Sequence, residues 1–513
     1  MTQAIQTYAI TAPGFYGLNT QDSSLDLASG YALVANNCTI DQYGRVGARK
    51  GWTKVNTTNT DLGTSDIKAI GELITLDGTS YTICAGNNKL YKLVGSTLTT
   101  LTYGGGGTAP TISADNWQMA SLAGGLYLFQ SGHDPLEFNP TTSTTAYRRI
   151  SEITGYAGTA QLANAAISAY GRLWTVDTTT DKVTVQWCDT KLPNKWNSGL
   201  AGTLDTTTVW PKGGDSVVGL GAHNGFLYIF GKDNILIYAG ATNPSTMTLS
   251  DVVTGIGCVS RDSIAYTGTD IIFLSSTGVR SVLRTIQEKS APFRDLSKNV
   301  RNDLINAMVG ETLANIKSVY SSRDSFYLLT LPVLKTIYCF DMKAMLQDGS
   351  ARVTTWDSIE PKAFCYKQDG SLLFGKAGYV ALYDGYLDNT STYRFQYFTN
   401  HTDLGAPSVT SILKRLSVVI IGGSDQYLTI KWGYDFSGNY YAENVKIPKN
   451  ATAYYGVGEY GVSEYSGGVA LQTLKAHPTG SGKVIQTGYE VDVNSYAISI
   501  QKIEIHAKNG KIV

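Results

Sequence analysis

The stretch Asn224-Gly-Phe-Leu-Tyr-Ile-Phe-Gly-Lys-Asp-Asn-Ile-Leu-Ile-Tyr238 holds two apolar runs, Phe226 to Phe230 and Ile235 to Tyr238, on either side of a polar turn at Gly231 to Asn234. The first run is apolar on both faces, because Phe226, Tyr228 and Phe230 alternate with Leu227 and Ile229. A half-exposed strand would alternate apolar with polar residues, so this hairpin reads as covered on both sides. The unit recurs. Gly125-Leu-Tyr-Leu-Phe129 is followed by Leu136-Glu-Phe138, Arg172-Leu-Trp-Thr-Val176 by Val183-Thr-Val-Gln-Trp187, and Ile271-Ile-Phe-Leu274 by Val279-Arg-Ser-Val282. Further copies stand at Phe326-Tyr-Leu-Leu329 with Ile337-Tyr-Cys-Phe340 and at Leu372-Leu-Phe374 with Val380-Ala-Leu-Tyr383. A period of roughly fifty residues marks a repeat architecture. Each period has room for four short strands with turns, and four antiparallel strands per repeat around an axis make a propeller blade.

Candidate blade starts at Asp66, Asp115, Leu162, Asp215, Gly257, Ala314 and Pro361 predict an all-β propeller over residues 66–400. Seven blades are favoured, or six if the last segment only closes the ring. A multi-domain β-sandwich is the alternative, but sandwiches do not require a constant period. Residues 1–65 read as an N-terminal arm with accessory strands. Residues 401–513, where the repeat stops and longer strands such as Ile412 to Ile421 appear, read as a further β-sandwich-like domain built with that arm. In Tyr496-Ala-Ile-Ser-Ile-Gln-Lys-Ile-Glu-Ile505 the alternation changes phase between Ile500 and Ile503, which predicts a bulge of one extra residue. Leu296, Val300, Leu304 and Met308 recur every fourth residue and predict an inserted amphipathic helix near 295–308, capped by Asp295 or Ser297.

Composition narrows the function classes. The 41 Lys and Arg balance the 41 Asp and Glu, so no global field draws the chain to nucleic acid or to an anionic membrane. Any contact with double-stranded DNA is expected to be transient and non-adhesive. The N-terminus lacks the basic and apolar regions of a leader, and no apolar run approaches a membrane span, so synthesis in the cytoplasm without a membrane anchor is expected. Cys38, Cys84, Cys188, Cys258, Cys339 and Cys365 are scattered, with no metal-ligand spacing, and read as buried free thiols.

No catalytic, cofactor-binding or metal site is predicted, and the chain reads as a non-enzyme. Gly456-Val-Gly-Glu-Tyr-Gly461 matches a dinucleotide fingerprint by letter but has no strand before it and no helix after it. His133, His223, His401, His477 and His506 fall in no catalytic motif. Asp215, Asp262, Asp270 and Asp324 lie at blade or strand edges, where a glycosidase pair could form in a propeller funnel, although such residues also form turns. Two candidate docking features stand out. One is the basic cluster Arg45, Arg49 and Lys50, which could pair with acidic groups across subunits. The other is a Gly-rich segment carrying Tyr454, Tyr455, Tyr460 and Tyr465, since Tyr supplies contact area at low entropy cost.

The segment Gly17-Leu-Asn-Thr20, Asp22, Leu27-Ala-Ser-Gly-Tyr-Ala-Leu33, Asn36-Asn37, Gly44 and Arg49-Lys-Gly-Trp52 resembles the opening of tail nozzle proteins of short-tailed bacteriophages, also called tail tubular or packaged-DNA-stabilisation proteins. Gly171-Arg-Leu-Trp174, Phe226 to Gly231, the helix after Asp295 and Lys502-Ile-Glu-Ile-His-Ala-Lys-Asn-Gly510 are similar in style. The resemblance implies a structural protein of the virion tail. It would form a homo-hexamer below the portal, attached to the tail adaptor (the head-to-tail connector), continuing the DNA channel and meeting tail fibres, a distal tip or a needle. A carbohydrate-binding or carbohydrate-cleaving propeller of the virion is the first alternative, and a generic propeller scaffold the second.

Overall fold

Six sheets of three to five strands stand side by side around an axis in the computed structural model, which describes residues 5–59, 61–113, 116–287, 295–405, 408–449 and 471–512. The first blade runs from Ile67–Ile74 to Thr97–Thr100, the second from Gln118–Leu122 to Ala146–Arg149, and the third from Ala165–Ala169 to Gly202–Asp205. The fourth runs from Val217–His223 to Thr248–Thr254, and the fifth has three strands between Ala265–Tyr266 and Gly278–Ser281. The sixth joins Ala363–Tyr366, Leu372–Lys376 and Tyr379–Tyr383 to Trp52–Lys54 from the far end of the chain. Ile67–Ile74 packs on both Gln118–Leu122 and Ala363–Tyr366, which closes the ring.

The fourth blade shows why the repeat is apolar on both faces. Leu227, Ile229, Leu236 and Tyr238 pack with Trp174 and Trp187 of the third blade, while Tyr228, Phe230, Ile235 and Ile237 pack with Ile271 and Phe273 of the fifth. The Phe230 and Phe273 rings meet at 5.1 Å. Each large side chain buried in this way stabilises the ring by about 1.5–3 kcal/mol, so neither face can be made polar.

Between the fifth and sixth blades lie four further antiparallel strands, Lys317–Ser321, Phe326–Leu331, Thr336–Asp341 and Arg352–Trp356. They do not form a sheet of their own. Beyond Arg352–Trp356 the same sheet continues through Gly17–Leu18, Tyr31–Asn36, Tyr393–Thr399, Ile485–Val493, Tyr427–Tyr434 and Tyr440–Lys446, ten strands in all. The favoured count of seven is therefore corrected to six self-contained blades, because the remaining repeat is shared with the second domain.

That domain packs the far part of the ten-stranded sheet on a seven-stranded one, in which Leu471–Ala476, Val409–Gly422, Ile498–Ile512, Val46–Ala48 and Cys38–Ile40 lie in order and Ile5–Thr11 pairs with Ile498–Ile512. Its core holds Leu416, Val418 and Ile420 from one sheet against Leu428, Ile430 and Val491 from the other. The sandwich is thus built from both ends of the chain, as expected, but its boundaries move. Tyr393–Thr399 belongs to it rather than to the propeller, and the N-terminal arm is divided among both sandwich sheets and the sixth blade.

The predicted bulge is present. Val419 pairs with Lys502 and Ile420 with Ile500, so Gln501 is the extra residue, and its carbonyl accepts the Ala12 N–H at 3.0 Å. The predicted helix keeps its apolar stripe, with Leu296, Val300, Leu304 and Met308 all buried. It begins as a 3-10 turn at Lys298–Val300 and is α-helical over Arg301–Val309. Ser297 stands at the N-cap of that turn, as predicted, but neither its side chain nor that of Asp295 makes a capping hydrogen bond. The Ser297 hydroxyl accepts the Val279 N–H at 3.0 Å, and Asp295 pairs with Arg301 at 2.6 Å. Among the described residues no helix is long and apolar enough to cross a membrane.

Candidate functional site

The residues between Asn36 and Trp52 converge on the seam between propeller and sandwich. Asn37 has φ of 54°, a conformation that Asn tolerates better than most residues, and this turns its side chain into the seam. Its amide donates to Asp357 Oδ1 at 2.6 Å and to the Arg394 carbonyl at 2.7 Å, and its oxygen accepts Arg49 Nε at 2.8 Å. Arg49 is fully buried. Its Nη1 donates to Asp388 Oδ1 at 2.8 Å and to the Lys50 carbonyl at 2.9 Å, and its Nη2 to Asp388 Oδ2 at 2.8 Å and to the Asp357 carbonyl at 3.2 Å. With Nε, all five donors are met, and the guanidinium lies 4.1 Å above the Tyr393 ring. Burial opposes the Arg49 charge, but the Asp388 carboxylate outweighs it and raises the pKa. Gly51 follows because a Cβ there would lie 1.9 Å from the Leu387 carbonyl oxygen.

This arrangement corrects the docking expectation for two of the three basic residues. Arg49 spends every donor inside the chain, and Arg45 is buried against Asp41, Nε to Oδ2 at 2.6 Å, with its guanidinium over the Tyr43 ring. A basic cluster in sequence becomes two internal ties because the surrounding strands enclose both side chains. Lys50 differs, being half-buried with its ammonium 5.9 Å from the centre of the Tyr383 ring and its backbone N–H donating to the Tyr383 hydroxyl at 3.1 Å. Tyr454, Tyr455, Tyr460 and Tyr465, with the Gly456 to Gly461 motif, lie outside the described residues.

A second polar constellation crosses the axis of the ring, at the end where the innermost strands begin. Arg261, next to the fifth blade, donates through Nε to Asp262 Oδ1 at 2.8 Å. The same guanidinium reaches the carbonyls of Asn164, before the third blade, and Asn116, before the second. Lys317, at the start of the strand shared with the sandwich, pairs with Asp262 at 2.5 Å and with the Asn116 side chain. Asn116 Nδ2 donates to Asp262 Oδ2 at 2.7 Å. Burial pushes the Asp262 carboxyl up, but Arg261 and Lys317 together outweigh it and hold it far below the usual carboxylate range. The four side chains bar the axial channel at this level.

The other candidate carboxylates are engaged in the same local manner. Asp215 accepts the backbone N–H groups of Ser216, Lys232 and Asp233, Asp270 accepts those of Ile271 and Leu283, and Asp324 accepts the Ser321 hydroxyl. They hold turns in different blades, and the fold pairs none of the four with another. Sequence reasoning missed Asp388, Asp357, Asn116 and Lys317. The adjacent Asn36 and Asn37 were a signal for the seam, but the partners are more than three hundred residues away and carry no motif of their own.

No family model matches the sequence, and no curated protein is similar to it. Among solved structures, the chain is similar to the Pan2 WD40 domain of Neurospora crassa, with 10% identity over 65% of this chain and 96% of that one and a TM-score of 0.39. The ring is a β-propeller. The propeller chain also has a likeness to the extracellular domain of the putative hybrid two component system BT4673 from B. thetaiotaomicron, with 10% identity, 85% of this chain, 60% of that chain and a TM-score of 0.41. The WD40 domain of Toxoplasma gondii coronin gives 9% identity, 68% and 86% coverage and a TM-score of 0.35. The propeller assignment rests on the strand order and on the closing contact between the first and sixth blades.

Proposed function

We propose that this propeller protein is a structural, non-enzymatic subunit of the tail nozzle of a short-tailed phage. Six copies form a tube below the portal and its adaptor, and the tube continues the DNA channel and carries fibres or a tip. The observation that supports this most is the work done by the segment that carries the resemblance. Asn37 and Arg49 tie the propeller to the sandwich through buried contacts in which every Arg49 donor is bonded, Gly51 lets the chain pass the Leu387 carbonyl, and Trp52 joins the sixth blade. A subunit that keeps a channel wall in shape needs its two domains locked together, and a seam of this kind resists the inter-domain motion expected across a small polar interface.

The bar across the propeller axis adds a constraint. DNA does not pass through the blade ring of one subunit, so the conduit of the assembly is the space enclosed by the six copies. A closed cyclic ring gives each copy two different, complementary faces. Zero net charge suits a wall that DNA must leave quickly, because each Lys or Arg contact with a phosphate would add counterion-release affinity. The internal engagement of Asp215, Asp262, Asp270 and Asp324 weighs against a carbohydrate-cleaving funnel.

Native mass spectrometry of the full chain, alone and mixed with the portal and adaptor of the same phage, tests the reading. Six copies seated on the adaptor are expected. A chain that stays monomeric in the presence of the adaptor overturns it.

A further inference from the structure

The axial bar brings an amine, an amide and a carboxylate into mutual contact. Lys317 Nζ touches the side-chain oxygen of Asn116 and meets Asp262 Oδ2 at 2.5 Å. Asn116 Nδ2 donates to that same Asp262 oxygen at 2.7 Å and to the Ala314 carbonyl at 3.0 Å. These two acceptors fix the amide with its nitrogen toward Asp262 and its oxygen toward Lys317. A carbonyl bond is about 1.2 Å long, so an amine touching Oδ1 in this way lies about 3–3.5 Å from Cγ, as a near-attack arrangement requires. Lys317 is only 8% exposed. Lys298, by contrast, meets Asp348 at the surface, where its ammonium stays hydrated. Burial lowers the Lys317 pKa against the pull of Asp262, which brings the neutral, nucleophilic amine within reach.

We infer that Lys317 and Asn116 become joined by an isopeptide bond, with Asp262 carrying the protons. The Asp262 carboxylate takes a proton from the Lys317 ammonium, and the freed amine attacks Asn116 Cγ. The carbonyl electron pair moves onto Oδ1. The Arg261 guanidinium, which donates to the Asn116 backbone carbonyl at 3.3 Å, keeps a positive charge nearby as that oxygen becomes negative. Asp262 Oδ2 touches both the attacking and the leaving nitrogen, so it can pass protons from one to the other. When the pair returns from Oδ1, the Cγ–Nδ2 bond breaks. Both protons lost by Lys317 Nζ pass through Asp262 to the leaving nitrogen, which departs as ammonium. The carboxylate is regenerated and no other reactant is consumed. The bond joins residues 201 positions apart, tying the approach to the second blade to the strand shared with the sandwich. Arg261 keeps its pair with Asp262 afterwards, so the carboxylate stays ionised. The bond lies within one chain and is independent of the oligomeric state proposed above.

The test is intact-mass spectrometry of the full chain, folded and then denatured. The wild-type mass is expected to fall short of the sequence mass by one ammonia. Trypsin should then release Leu93–Arg148 and Asn302–Arg323 as a single branched peptide, uncut after Lys317. Lys317→Arg, Asn116→Ala and Asp262→Asn should each keep their full sequence masses, with circular dichroism reading whether they fold. Wild-type protein at its full sequence mass overturns the bond, and that outcome needs no variant to fold. So does a missing ammonia without the branched peptide, or a branched peptide that folded Asp262→Asn forms as completely as wild type.

Discussion

Arg49 and Asp388 are joined by two parallel hydrogen bonds of 2.8 Å, Nη1 to Oδ1 and Nη2 to Oδ2, in a seam closed to solvent. The pair links the strand entering the sixth blade with the connection leaving it for the sandwich, so one contact serves ring closure and domain orientation together. Removing either partner strands a buried charge. Arg49→Met or Asp388→Asn should destabilise the protein by about 3–5 kcal/mol in chemical denaturation. Arg49→Lys should recover little, because an ammonium cannot form the fork.

Gly51→Ala should act at the same seam without touching charge. The added Cβ would meet the Leu387 carbonyl at 1.9 Å, and backbone cannot yield as a flexible side chain does. A loss of about 3 kcal/mol is expected, with calorimetry as the measurement.

The axial bar should be visible in acid. The folded pKa of Asp262 is depressed, so its contribution is complete above the unfolded carboxylate value of about 3.9 and is lost as pH falls through the lower folded value. Melting curves of wild type and Asp262→Asn should therefore differ by a constant amount from neutrality down to about pH 5, and converge in stronger acid. A difference that grows on acidification would contradict the ion-pair account.

Lys376 predicts a slope of the same sign in the alkaline range. Burial lowers its pKa to about 8 despite Asp388 and Glu360, with the ammonium 4.3 Å from the Trp52 ring. Between pH 8 and about 10.5 the unfolded chain binds more protons than the folded one, so this residue makes stability rise with pH, by up to about 3 kcal/mol. Lys376→Met should remove that rise, as read from denaturant midpoints at pH 7 and pH 10.

All six cysteines are free and buried, and burial pushes the Cys365 thiol up to about 12. A thiol reagent at neutral pH should find none of them in the native protein and six after denaturation.

The blades were legible because their determinants are local. Phe226 to Tyr238 specifies a doubly buried hairpin through its own alternation, and the phase change after Ile500 marks the bulge at Gln501 without reference to its neighbours. The same locality explains the stripe of Leu296, Val300, Leu304 and Met308. It fails at the caps, because Ser297 and Asp295 are claimed by Val279 and Arg301 rather than by the helix start.

What the sequence determined by itself is the repeat, the all-β class and the two-domain division, each set by side-chain periodicity over a few residues. Only the tertiary structure decided which charges are spent and which are left. Arg45, Arg49 and Lys50 are nearly equivalent as letters, yet Arg49 finds Asp388 across the ring closure, Arg45 turns onto Asp41, and Lys50 faces an open cavity with Arg323, Asp324 and Asp384. The blade count was decided there too, since the strands from Lys317 to Trp356 read as one more repeat until Gly17–Leu18 and Tyr31–Asn36 extend their sheet into the sandwich. Partners brought together by chain closure across hundreds of residues leave no periodic trace in sequence, and their hydrogen bonds exist only once the ring has formed.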